Sequence, residues 1–114
     1  MTTSNITDEM IDNVLCAAFE GGITYWCSQI YHQGNFPGDA EYGHQVVTRG
    51  QHVTLFNMFD DQDNPTITRD TMAIGIQKEA ERQGMTVEAW YENHDASDAD
   101  NAVQMAAFGE VIYG

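Results

Sequence analysis

The chain has few basic side chains. Lys and Arg together number 4, against 18 Asp and Glu, so the formal net charge is −14 on 114 residues. All four cations lie between residues 49 and 82, and the segments 1–48 and 83–114 carry acids with no Lys or Arg. Nucleic acid and anionic membranes are poor partners for such a surface, because binding them requires cations to neutralise phosphates. A partner with a basic surface is favoured instead.

Cysteines are also scarce, and apolar runs are short. Cys16 and Cys27 lack CxxC spacing and no signal peptide precedes them, so we expect reduced thiols in a cytoplasmic protein. No apolar run approaches the roughly 20 residues that a membrane-spanning helix needs. With 42% hydrophobic and 11% aromatic residues the chain can still bury a core, which predicts one domain over residues 1–114.

Helix signals recur along the chain. Thr7 is predicted to cap a first helix that ends at Gly21-Gly22, and its apolar side chains recur at three- and four-residue spacing. A short helix is predicted over 40–48. Three further helices are expected near the C-terminus, with predicted caps at Asp70, Thr86 and Ser97.

Strand signals lie in the first and middle parts of the chain. Residues 23–31 fit either a helix or a strand, and the Gly pair before them and the aromatics within them favour a strand. His52–Phe59 and Thr66–Arg69 flank a turn-rich segment, which predicts a β-hairpin. The predicted fold is therefore α+β: a small antiparallel β-sheet, made of the hairpin plus one further strand, packs against three to four α-helices. The side chains predicted to be buried are Leu15, Phe19, Leu55, Ile76 and Val103.

Two residue clusters suggest metal binding, and both lack the required spacing. Asp60, Asp61, Asp63 and Asn64 offer oxygen ligands, but the Gly and Glu positions of an EF-hand loop are missing. The four histidines contain no HxH or HxxxH pair that would place two imidazoles on one face of an element. We therefore expect no metal and no cofactor, with a solvated turn and surface histidines instead.

Signals for catalysis are equally weak. Both cysteines lie in apolar surroundings, where burial raises the pKa of a thiol and suppresses its reactivity. The chain contains no GxSxG, P-loop or GxGxxG motif. Carboxylate pairs are expected by chance in so acidic a chain, so no general acid and base can be selected. We assign no catalytic residues and predict that the protein is not an enzyme.

Two groups of residues are candidates for binding a partner. One is acidic and lies in the C-terminal segment that has no cation: Glu88, Glu92, Asp95, Asp98 and Asp100. The other consists of Phe36 and Tyr42 in the polar loop 33–43, because aromatics flanked by charge are typical interface anchors. Local packing of this loop is an alternative that the sequence leaves open, as is the normal preference of a helix N-terminus for acids such as Asp98 and Asp100.

Two motifs near the ends of the chain look familiar together. The first is Ala18-Phe19-Glu20-Gly21-Gly22-x-x-Tyr25-Trp26-Cys27, and the second is Ala107-Phe108-Gly109-Glu110-Val111-Ile112-Tyr113-Gly114. Written as AFEGGxxYW and, with Ala106 included, as AxFGExxYG, they resemble a family of small proteins encoded by tailed phages and prophages. The order of the predicted elements is also similar, so the resemblance covers most of the chain. It implies a phage origin and supplies no activity, cofactor or catalytic residue.

Charge and resemblance together predict a phage-encoded accessory protein in the host bacterial cytoplasm. It would bind a host protein with a basic surface and inhibit or redirect it, in anti-defence or host takeover. Acidic nucleic-acid mimicry is one way in which it could inhibit such a protein, because carboxylates on rigid helices can compete with DNA or RNA for a basic groove. A small metal-binding or hydrolytic enzyme and a virion assembly or structural component are the alternatives, and the sequence leaves a homodimer open.

Overall fold

A computed structural model describes residues 6–32, 43–59 and 64–113. In these residues the α-helices are α1 (Asp8–Ala17), α2 (Arg69–Arg82), α3 (Val87–Asn93) and α4 (Ala96–Phe108). The strands are β1 (Cys27–Tyr31), β2 (Val53–Asn57) and β3 (Thr66–Ile67). A π-helical turn, Ala18–Gly22, continues α1, and a 3₁₀ helix, Gly43–Arg49, precedes β2. The α+β prediction is confirmed, with four α-helices and a small antiparallel sheet.

The sheet has the strand order β1-β2-β3 and both pairings are antiparallel. The predicted hairpin is confirmed by the pairing of Val53 with Ile67, and the further strand is β1, whose Ile30 lies opposite Leu55. Side chains on β2 alternate between buried and half-buried. One face of the sheet therefore faces the core, as the alternation of a half-buried strand requires.

The ambiguous segment 23–31 contains both kinds of structure. The strand begins only at Cys27, while Ile23 and Trp26 belong to a turn in which the amide nitrogens of Trp26 and Cys27 donate to the carbonyl oxygen of Ile23 at 3.0 and 2.8 Å. Both Ile23 and Trp26 are buried, which is what their helical spacing of three allows. The strand prediction is correct for residues 27–31 and wrong for the four before them.

Several helix ends agree with the sequence. The hydroxyls of Thr7 and Thr86 accept hydrogen bonds from the amides three residues later, as predicted. Gly84 and Gly109 follow α2 and α4 with φ of +72° and +78°, which side chains with a Cβ rarely adopt. The short helix predicted over 40–48 is the 3₁₀ helix, and its first three predicted residues lie outside the described chain.

Two predicted caps are wrong by two residues. Helix α2 is capped by Thr68 instead of Asp70, and α4 by Asp95 instead of Ser97. In both cases the cap and the residue three positions later bond reciprocally through side chain and backbone. This capping box satisfies two exposed amides at once, whereas a simple cap satisfies one. Asp70 and Ser97 consequently lie within the first helical turn.

The core lies between the sheet and the helices, and α2 packs closely on α4. At Gly75 an added Cβ would lie 2.5 Å from the carbonyl oxygen of Ala102, so only glycine permits this approach of the two helices. Four of the five side chains predicted to be buried are buried. Phe19 is only partly buried, because the π-helical turn brings Ala18 to the buried position instead.

Candidate functional site

The predicted acidic contacts occupy three different environments. Glu88 and Glu92 lie one helical turn apart on α3, and both are exposed. Side chains at this spacing share a face of the helix, so the two carboxylates point the same way. The placement agrees with their predicted availability to a partner.

Asp95 and Asp98 have a structural task at the start of α4. The Asp95 carboxylate accepts from the Asp98 amide at 3.0 Å, and the Asp98 carboxylate accepts from the Asp95 amide at 3.2 Å. Asp98 also accepts from the side-chain amide of Gln83 at 3.0 Å and is half-buried. Replacing either residue would therefore perturb the helix start as well as any contact with a partner.

Asp100 is buried, so its prediction as a surface contact is wrong. It is 5% exposed, and its carboxylate accepts from the Tyr25 hydroxyl at 2.6 Å, the Trp26 indole nitrogen at 2.8 Å and the Gln104 amide at 2.9 Å. The reason is that α4 begins at Ala96, which places Asp100 one turn into the helix beside the π-helical turn. An added Cβ on Gly22 would lie 3.4 Å from the Cβ of Asp100.

Gln104 connects this carboxylate to the C-terminal segment. Its side-chain nitrogen donates to the carbonyl oxygen of Tyr113 at 2.9 Å, and its side-chain oxygen accepts from the amides of Ile112 and Tyr113, both at 2.8 Å. Gln104 is fully buried, so these bonds replace those that its amide would make to water. The segment 111–113 is therefore held against α4.

Aromatic rings complete the same arrangement. The ring of Tyr113 stacks on Trp26 with centroids 5.5 Å apart, and Phe108 lies 5.5 Å from Trp26 on a tilted plane. The Tyr113 hydroxyl accepts from the side-chain amide of Asn57 at 2.8 Å. We call Tyr25, Trp26, Asp100, Gln104 and Tyr113 the Trp26 cluster. It joins the two sequence motifs into one structural unit, a role for them that the sequence alone had not supplied.

Tyr25 is the group of this cluster whose proton affinity is most altered. Its pKa is raised to about 12, first by burial, then by the hydrogen bond to Asp100 and by the charge of that carboxylate. The residue as a whole is 44% exposed, but its hydroxyl is held against Asp100 in a partly buried hydrogen bond. At neutral pH the hydroxyl therefore stays protonated and acts as a donor, which makes it unsuitable as a general base.

The three arginines are engaged within the fold. Their ion pairs are Arg49–Asp12 at 3.1 Å, Arg69–Asp8 at 2.5 Å and Arg82–Glu79 at 2.6 Å. Lys78 is exposed and forms no ion pair with the described part of the chain. Because internal carboxylates already hold the guanidinium groups, the fold offers few cations to an approaching molecule.

Glu79 is fully buried and explains one of these pairs. Its carboxylate accepts from Arg82 through two nitrogens at 2.6 and 2.8 Å and from Gln83 at 2.6 Å. Asn101 on α4 donates to it at 3.3 Å. A buried carboxylate requires such donors, because an unpaired charge in the core is strongly destabilising. Glu79 is therefore a structural acid.

The cysteines and histidines form no reactive site in the residues described. Burial raises the pKa of both thiols, and at Cys16 the charge of Glu20 raises it further, so the thiolate form is disfavoured. His32 contacts the side chain of Gln51, and the two line a cleft of about 250 Å³ with His52. Within residues 6–32, 43–59 and 64–113 no group of three His, Cys, Asp or Glu is arranged to hold a metal ion.

A second cleft, of about 430 Å³, separates α1 from the 3₁₀ helix. Its lining is largely polar, and one of its acids is engaged across it: Asp12 accepts from Thr48 at 2.7 Å and from Arg49 at 3.1 Å. The predicted aromatic anchors Phe36 and Tyr42 lie outside the described residues, as do Asp60, Asp61 and Asp63 of the predicted turn. Their predicted roles stay predictions.

Comparison with protein-family models, curated proteins and solved structures finds no match to this chain. The phage resemblance thus depends on the two motifs and on the order of the predicted elements. Among the residues that the structure describes, no helix combines the length and apolar character needed to cross a bilayer. What bears on function is therefore the distribution of charge and apolar side chains over the described surface.

Proposed function

We propose that this chain is a phage-encoded accessory protein that binds a basic host protein in the bacterial cytoplasm and inhibits or redirects it, with no enzymatic activity of its own. The observation that carries the proposal is the unequal distribution of charge. Glu88 and Glu92 are exposed on α3 in a segment without Lys or Arg, while all three arginines are held in internal ion pairs. The two motifs support the phage origin.

The physical basis is electrostatic steering. A net charge of −14 on a small fold attracts a basic surface over distances set by the Debye length, about 8 Å at physiological ionic strength. Such attraction mainly raises the association rate and selects against acidic partners. Nucleic-acid mimicry is a form of this mechanism, in which the α3 carboxylates take the place of phosphates in a basic groove.

The test is affinity capture from a nuclease-treated bacterial lysate on the immobilised full-length protein. The variant Glu88→Lys/Glu92→Lys reverses the α3 charges and retains Asp95, which caps α4. The variant Glu9→Lys/Glu20→Lys is the matched control, because it changes the net charge equally at two other exposed acids. We expect wild type and control to retain a basic protein that the α3 variant loses, with retention falling as salt rises.

Two results would contradict the proposal in different ways. If no basic protein is retained above the background of an inert acidic protein, binding to a basic host protein is wrong. If the α3 variant and its control retain the partner equally at low and high salt, the acidic mechanism is wrong. The leading interface would then be the loop that carries Phe36 and Tyr42.

A further inference from the structure

Several of the exposed apolar residues are in contact with the Trp26 cluster. Seven large hydrophobic residues are exposed in the described part of the chain, and four of them lie around this cluster. We call Tyr25, Met58, Phe59 and Ile112 the aromatic patch. Phe59 is the most exposed of the seven, at 64%. Single exposed apolar residues are ordinary on protein surfaces, whereas a contiguous group is typical of an interaction site.

Each member of the patch is tied to the Trp26 cluster by a contact of its own. The Tyr25 hydroxyl lies 3.4 Å from the Gln104 side-chain nitrogen, and the same side chain binds the amide of Ile112. The Phe59 ring packs on Tyr113 with centroids 5.4 Å apart. The Met58 amide donates to the carbonyl oxygen of Trp26 at 2.8 Å. Each patch residue is thus fixed through a direct contact with a member of the Trp26 cluster.

These contacts also keep the patch ordered before any partner arrives. The Phe59 amide donates to the Asn57 side chain at 2.9 Å, which fixes the backbone at the most exposed ring. Immobilising side chains and loops opposes association, so a surface that is ordered in advance binds more tightly for the same contacts. The buried hydrogen bonds of the Trp26 cluster therefore favour binding at the patch, because they order it in advance.

Charge decides which occupant fits the patch. A second copy of this chain would bring another −14 toward the first, and an anionic membrane would be repelled for the same reason. Glu110 is exposed two residues before Ile112 and adds a local negative charge beside the patch. Exposed Tyr and Phe rings also attract Lys and Arg through cation–π contacts.

We propose that the aromatic patch is the docking site for a cationic amphipathic segment of the partner protein. Apolar side chains of that segment would cover Phe59 and Ile112, and its Lys or Arg side chains would lie against Tyr25 and Glu110. This inference rests on the proposed function and adds to it the contact surface and the chemistry of the partner. The α3 carboxylates then steer the encounter, and the patch holds the bound segment.

The probe is a synthetic peptide of about 18 residues with Leu and Lys at helical spacing, and its control has Glu in place of Lys. Binding to the full-length protein is measured by calorimetry. The variant Phe59→Ser/Ile112→Ser removes the patch, and Tyr31→Ser/Ile74→Ser is the matched control, because Ile74 and Ile112 are 45% and 46% exposed. We expect the patch variant to bind the Lys peptide about tenfold more weakly or worse, with the control unchanged and no binding of the Glu peptide.

A measurement on the wild-type protein keeps the proposal testable if a variant does not fold. With labelled methyl groups, the Lys peptide should shift the signals of Met58 and Ile112 and leave those of Met85 and Ile74 in place. The second pair is similarly exposed, at 37% and 45%, and makes none of the contacts that tie the patch to the Trp26 cluster. Shifts confined to the second pair, or equal shifts in both, would overturn the docking site.

The remaining outcomes separate this inference from the proposed function. If a basic partner is captured through α3 but the patch variant and its control bind the Lys peptide equally, the docking site is wrong and the function stands. If the Lys peptide binds at the patch but no basic protein is captured, the function is wrong and the site for cationic segments stands. A wild-type dimer in sedimentation that the patch variant dissociates would identify a second copy as the occupant and overturn the proposal.

Discussion

Replacing Asp100 tests whether the Trp26 cluster holds the fold together. Asp100→Ala removes the acceptor of three hydrogen bonds and leaves three donors behind. The consequences for these donors differ. The hydroxyl of Tyr25 can turn to water, and Gln104 keeps its bond to the Tyr113 carbonyl. The indole nitrogen of the fully buried Trp26 has no second acceptor in the described part of the chain.

The magnitude follows from that difference. A buried donor left without an acceptor costs about 1–3 kcal/mol, and bonds to a charged acceptor are worth about 1.5–3 kcal/mol each. Because only the Trp26 bond is lost without replacement, we expect Asp100→Ala to lower the free energy of unfolding by about 2–4 kcal/mol. Asp100→Asn keeps one acceptor oxygen, which can serve both Trp26 and Gln104, so about 1 kcal/mol is expected for it.

The assay is urea denaturation followed by tryptophan fluorescence. Glu110→Ala serves as the control at an exposed acid, and it should stay within about 0.5 kcal/mol of wild type. The order of stability should be wild type and control, then Asp100→Asn, then Asp100→Ala. If Asp100→Ala were as stable as the control, the carboxylate would not hold the cluster and the argument from its three donors would be wrong.

Further predictions concern packing, proton binding and metals. Leu15→Ala should lower the free energy of unfolding by about 2–5 kcal/mol, because Leu15 is fully buried, and a change under about 0.5 kcal/mol in denaturation would contradict its core position. Gly22→Ala should destabilise by about 1–3 kcal/mol in the same assay, since its Cβ would meet the Ala96 carbonyl oxygen at 2.5 Å, whereas Gly21→Ala has open space and should be neutral. The raised pKa of Tyr25, about 12, means that the folded chain holds this proton more tightly than the unfolded chain, whose tyrosines titrate near pH 10. The resulting stabilisation is complete below about pH 10 and is lost as the pH rises toward about 12. In an ultraviolet titration, the tyrosine that loses its proton at the highest pH should lose it at a lower pH in Asp100→Asn than in wild type. Thermal unfolding should have the same midpoint with EDTA as with zinc or calcium, and a saturable rise at micromolar zinc would restore the histidine hypothesis.

Local signals in the sequence predicted the elements well and their exact starts less well. The hairpin, the apolar face of α1 and the caps Thr7 and Thr86 follow from nearby residues, and the structure contains them. At the starts of α2 and α4 several residues suited to capping lie within three positions. The choice between them depends on a reciprocal bond that single-residue preferences do not include.

Local signals in the sequence do not predict that Asp100 is buried. In the sequence it is one of several acids near a helix start, and a preference for the helix dipole explains it fully. Its burial depends on Tyr25 and Trp26, which lie 75 and 74 positions earlier. One signal was present, because a buried Trp or Tyr normally needs a hydrogen-bond partner, and the motif contains both. That rule predicts that an acceptor exists without identifying which one.

The long separation between Trp26 and Asp100 also has a consequence during synthesis. A ribosome adds about 5–20 residues per second, so the 74 positions between them take roughly 4–15 seconds to make. During that interval the indole ring has neither its carboxylate acceptor nor the aromatic rings of Phe108 and Tyr113. The nascent N-terminal half therefore exposes one of its largest apolar side chains until α4 emerges.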